Sequence, residues 1–123
     1  MKYFIALLVL CFGLWGCNPI DYFSAEVKEV KTSKLKGCPS KTIGKMVSDS
    51  IDFPRWSKDK TESGRTVVNV KGKTMFDGKS IPAELQFRFS KDKSTFSFYS
   101  LKLNGHEQSD FVRGVFIDSM CDR

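Results

Sequence analysis

The chain has 123 residues, 20 lysines and arginines against 14 aspartates and glutamates, and an apolar fraction of 41%. That length suits one domain of ordinary size and excludes a multidomain protein, while the apolar content excludes a disordered chain. The net charge of +6 points to an anionic partner or surface, and a single histidine rules out chemistries built on histidine clusters.

Lys2 precedes an apolar run from Tyr3 to Trp15, which closes in Leu14-Trp15-Gly16-Cys17. A charged start, a short apolar stretch and a small residue before a cut are the marks of an export signal. At about 13 residues the run is short of the roughly 20 that cross a hydrocarbon core, so it reads as a leader and not as a retained anchor. The Leu-x-Gly-Cys ending resembles the lipobox of bacterial lipoprotein precursors, with Trp15 where that family carries a small residue. The resemblance covers residues 1 to 17. It implies that residues 1 to 16 are a signal peptide, that cleavage leaves Cys17 at the new terminus, and that Cys17 carries the lipid, palmitate included. It further implies a membrane-anchored protein of the bacterial cell envelope. Asn18, and not aspartate, follows the cysteine, which by the same resemblance favours the outer membrane, facing the periplasm.

Residues 17 to 37 read as a lysine-rich lipidated tether, with one short strand near residues 25 to 30, where Ala25 and Val27 alternate with Glu26 and Lys28. From residue 28 to 45 six lysines face one acid, Glu29, and this excess equals the whole net charge of the chain beyond residue 16. Lys28, Lys31, Lys34 and Lys36 are the membrane-proximal basic residues. They suit attraction to anionic head groups, worth about 1 kcal/mol per residue near the surface, and equally suit a solvated linker.

Residues 38 to 123 form a single globular domain. Once Cys11 leaves with the signal and Cys17 is acylated, Cys38 and Cys121 remain as an even pair, and an oxidising compartment favours a disulfide between them. Two buried thiols or a metal site are the alternatives. Zinc takes four ligands, and His106 alone supplies no cluster, so no metal is expected. A helix is expected from residue 39 or 40 to 51, capped by Ser40, with Ile43, Met46, Val47 and Ile51 on one face and Pro54 beyond its end. Residues 53 to 56 and the polar stretch 57 to 64 read as a loop. In it, Phe53, Arg55 and Trp56 are the candidate partner contact, since aromatic and arginine side chains dominate binding hot spots. Trp56 suits the closure of one end of the core as well.

Three strand patterns follow: residues 65 to 74 around Val68 and Val70; residues 81 to 90, where Ala83, Leu85, Phe87 and Phe89 alternate with Glu84, Gln86 and Arg88; and residues 95 to 103. In the third, the apolar phase switches between Phe98 and Tyr99, which predicts a bulge or burial on both faces. Short polar links, one containing Asp77-Gly78, make the strands an antiparallel meander. Ser109 is placed to cap a last helix with Phe111, Val112, Val115, Phe116 and Met120 in one stripe. The expected fold is α+β, a two-layer sandwich in the order helix, three-stranded antiparallel meander, helix. This order is similar to that of small lipoproteins of outer-membrane assembly, although no motif of that class is present.

No catalytic constellation emerges. His106 lies in a turn after Asn104-Gly105, and Gly72-Lys73-Thr74 lacks the earlier glycine of a phosphate-binding loop, where Val67 stands instead. No catalytic residue and no cofactor is assigned, and export together with the lack of a motif argues against nucleic acid. The expectation is a non-enzymatic binding or assembly module, held to the membrane by its lipid, with another envelope protein as partner. The alternative is a cell-wall or lipid-binding protein, or a hydrolase with an unrecognised site.

Overall fold

The computed structural model describes residues 24–122; the expected signal peptide and the expected lipidation site, Cys17, lie outside them. The elements in chain order are α1 (Ala25–Thr32), α2 (Ile43–Ser50), β1 (Asp52–Lys60), β2 (Thr66–Phe76), β3 (Lys79–Phe89), β4 (Phe96–Leu103), β5 (His106–Glu107) and α3 (Asp110–Asp122). The class is α+β, and the strands form one five-stranded antiparallel sheet in sequential order. Two strands beyond the expected three, β1 and β5, flank the meander.

The expected tether is the first correction. From Ala25 the chain folds as a helix, not as a strand. The Ser24 hydroxyl accepts from the Val27 N–H at 3.1 Å, Glu26 lies in the first turn and Lys31 in the last, as the dipole favours. Val27 and Val30, one turn apart, are completely buried. Lys28, Lys34 and Lys36 are exposed, whereas Lys31 turns inward and sets its ammonium 5.2 Å from the centroid of the Trp56 ring. Helix α2 is capped by Thr42, which accepts from the Lys45 N–H, and not by Ser40. Its expected face is buried: Ile43, Met46 and Val47 inside the helix and Ile51 just after it. Gly44 lets α1 approach, because a Cβ there would stand 3.0 Å from the Lys31 carbonyl oxygen.

The segment read as a loop is mostly edge strand. Trp56 pairs with Val70, which continues to Leu85 and Leu101 in the same row, and is only 7% exposed. Its burial corrects the reading of Trp56 as a partner contact. Lys58, the next inward position, reaches Glu26 of α1 at 3.5 Å. Inward charge, Pro54 and an irregular start are devices that blunt a sheet edge.

Strand β3 buries Ala83, Leu85, Phe87 and Phe89, as its alternation predicts. Both Asp77-Gly78 and Asn104-Gly105 have positive φ at each residue, the primed turn of a two-residue hairpin. The predicted bulge is present. Gln86 pairs with Ser100 and Phe87 with Phe98, which leaves Tyr99 as the extra residue. Phe98 thereby stays beside Phe87, at 5.4 Å between ring centroids.

Ser109 caps α3 through the Val112 N–H. The expected stripe is only partly inward: Met120 is buried and Phe116 and Ile117 pack on the core, while Phe111 is 78% exposed and Val115 is also exposed. Apolar residues are spread around most of this helix, so seating one side strands the others. Cys38 and Cys121 are joined in a disulfide, with Cα atoms 5.7 Å apart, which ties the segment before α2 to the last turn of α3.

Candidate docking site

Gly72 creates the site's backbone. A Cβ there would fall 2.5 Å from Ile51 Cγ2 and 2.7 Å from the Asp52 carbonyl oxygen, so only glycine lets the start of β1 cross this closely. Pairing is interrupted between Asp52 and Arg55. Within the interruption Phe53 takes φ of 55°, a left-handed conformation that a bulky side chain rarely adopts. The result is a Phe side chain 87% exposed at the rim of an open cavity of about 370 Å3.

The remaining walls follow from strand register. Arg55 stands opposite Lys71, Lys71 opposite Glu84, and Glu84 opposite Lys102, so one row across the outward sheet face carries three cations and one carboxylate. Lys73 and Asp52, themselves partners, line the same cavity. None of the four cations forms an ion pair with another described residue. The cavity therefore combines an exposed aromatic with a local excess of positive charge, which suits the acidic or carbonyl-rich surface of a partner.

Of the candidate contacts, the structure brings Phe53 and Arg55 together here and places Trp56 in the core. Lys71, Lys73 and Lys102 carry no motif in the sequence. Their signal lies in the Asp77-Gly78 turn, because a two-residue loop sets Phe76 opposite Lys79 and so Lys71 opposite Glu84. The basic residues of the expected tether lie elsewhere. Glu26, two residues after Ser24, binds Lys58 and Lys93 at the other end of β1 from Phe53.

His106 is exposed on β5 beside the Asn104-Gly105 turn. Among the described residues no group of three or more His, Cys, Asp or Glu side chains is arranged to hold a metal, and no helix is long and apolar enough to cross a membrane. Comparison with known protein families, with curated proteins and with solved structures finds no match to this chain.

Proposed function

We propose that this chain is a lipid-anchored envelope lipoprotein, acylated at Cys17 and held at the outer membrane facing the periplasm. In this reading it is a non-enzymatic binding or assembly module that docks another envelope protein through Phe53 and Arg55. The anchor rests on the likeness of Leu14-Trp15-Gly16-Cys17 to a lipobox. The docking role rests on Phe53: the fold has no use for a strained, solvated phenylalanine where glycine would serve, and backbone outliers of this kind concentrate at functional sites. The finer layer arrangement belongs to the same reading, with the helices on one sheet face and the Phe53 cavity on the other. The union of α1, α2 and alternate strand residues in one buried cluster supports it.

Replacing Phe53 by glycine separates folding from docking. Relief of the left-handed strain and the greater chain freedom of glycine oppose each other, so stability should stay within about 1 kcal/mol. Capture of the envelope partner from detergent-solubilised membranes should weaken by about 2 kcal/mol. Cys17→Ser should abolish palmitate labelling and leave an unprocessed or unanchored chain. Labelling that persists in Cys17→Ser removes the anchor. Partner capture indifferent to Phe53→Gly and Arg55→Ala removes the docking site, and a melting shift with cell-wall fragments in place of any protein partner favours the alternative expected from the sequence.

A further inference from the structure

A second cavity lies on the same outward face at the opposite end of the sheet, with a volume of about 370 Å3. Arg65, Arg88, Ser97 and Tyr99 line it, and no carboxylate does. Its construction begins with the bulge. The extra residue in β4 re-aims Tyr99, whose ring lies 3.6 Å from the Arg88 guanidinium carbon. Stacking fixes the guanidinium plane in advance, the arrangement in which arginine recognises oxyanions with least loss of freedom.

Arg88 is held by this stacking, and its side chain meets no acceptor among the described residues. Its Nε is buried and has no hydrogen-bond partner, and neither Arg88 nor Arg65 makes an ion pair with another described residue. A buried donor left unpaired in a native fold calls for an explanation. Neither Asp59 nor Asp92 provides one. Asp59 belongs to the same row but is separated from Arg88 by Val67, and Asp92 is engaged by the Ser90 and Ser94 hydroxyls.

We infer that this cavity binds a phosphate oxyanion, with Arg88 and Arg65 as its charged donors and the Ser97 hydroxyl as a further donor. Two guanidinium groups and a hydroxyl offer more donors than the two oxygens of a carboxylate use, and they match the acceptor-rich tetrahedral phosphate. The cavity lies at the end of the sheet closed by the β3–β4 turn, whose Ser90 and Thr95 line it. Lys93, in the turn between β3 and β4, binds Glu26 near the start of α1, and the seven residues from Cys17 to Phe23 reach at most roughly 25 Å. A phospholipid head group is thus one source of the phosphate and a soluble phosphate the other. The first source rests on the proposed anchor; the site itself does not.

The full chain in a phosphate-free maltoside detergent is titrated with inorganic phosphate while the arginine Nε–Hε resonances are followed. The Arg88 resonance should shift and saturate. Arg88→Lys, which keeps charge but loses the fork, and Tyr99→Leu, which loses the stack, should each weaken phosphate binding roughly tenfold or more. Arg55→Lys, in the other cavity, should leave it unchanged. The chain is then placed in phosphatidylglycerol vesicles. A resonance already at its shifted position assigns the head group, and one that moves only when inorganic phosphate is added assigns a soluble source; both support the site. An Arg88 resonance that responds in neither medium, or a response lost as readily in Arg55→Lys, overturns it. Loss of the phosphate response with palmitate labelling intact overturns this site alone, and loss of labelling with the response intact overturns the anchor alone.

Discussion

Asp92 accepts hydrogen bonds from the Ser90 hydroxyl at 2.8 Å, the Ser94 N–H at 3.0 Å and the Ser94 hydroxyl at 2.7 Å. All three favour the charged carboxylate, with the Ser94 hydroxyl the strongest, and they lower its pKa from the ordinary 3.8 to about 2. Glu26 is lowered as well, first by the hydrogen bond from Lys93 and further by its own backbone and by the Lys58 charge. In both cases the unfolded chain binds protons more readily than the folded one. The stabilisation is therefore present above the unfolded pKa and is lost as pH falls through the folded pKa. A carboxyl NMR titration should place the Asp92 midpoint near 2. A midpoint at the ordinary value would show that the Ser90 and Ser94 bonds do not persist in solution. The composition of Lys91-Asp92-Lys93-Ser94 identifies a polar turn, but which hydroxyls converge on the carboxylate depends on the turn's closure by the Ser90 N–H to Thr95 carbonyl bond.

At the scale of elements, α1 and β1 were hidden for one physical reason. Each buries only a thin stripe, and a thin stripe gives too few apolar residues to establish a period. In α1 the stripe is Val27 and Val30; in β1 it is Trp56, flanked by Pro54 and by Lys58, whose charge is met by Glu26. β3, buried at every second position, is by contrast fully legible. The energetic content of β1 is correspondingly concentrated in one side chain. Trp56→Ala should cost about 3 to 5 kcal/mol by cavity formation, with a smaller share from the lost contact with the Lys31 ammonium. Chemical denaturation measures this directly, and a cost below about 1 kcal/mol would mean that the edge strand is not locked to α1 and the core. Phe53, three residues away and on a strained backbone, should show the opposite balance.

For the whole molecule, the Cys38–Cys121 disulfide closes nearly the full length of the described domain, with a sequence separation of 83. The chain-entropy account assigns such a loop about 4 to 4.5 kcal/mol, a large part of the 5–15 kcal/mol that a domain of this kind commands. α3 depends on it most, since Met120 is its only fully buried residue and Phe111 and Val115 face solvent. Reduction should lower the melting temperature, and amide exchange over Asp110–Asp122 should accelerate before that of the central strands. Uniform acceleration across helix and sheet would show instead that α3 and the sheet open as one unit.

Features that depend on neighbours along the chain, or on a count of residue types, are legible without the fold. These are the alternation of β3, the turn at Asp77-Gly78, the phase switch between Phe98 and Tyr99, the α2 face and the pairing of Cys38 with Cys121. Each follows from a local period, a backbone preference or a count. Tertiary structure alone decided that Lys31 faces Trp56, that the lysine-rich segment after Ser24 packs as a helix, and that α3 shows solvent two of the residues in its stripe. It alone brought Phe53 to Lys71 and Lys102, and Tyr99 onto Arg88. These contacts join residues whose separation in sequence carries no signal. They arise only when strand register and the close crossing at Gly72 bring distant backbones together, and both candidate sites are made of such contacts.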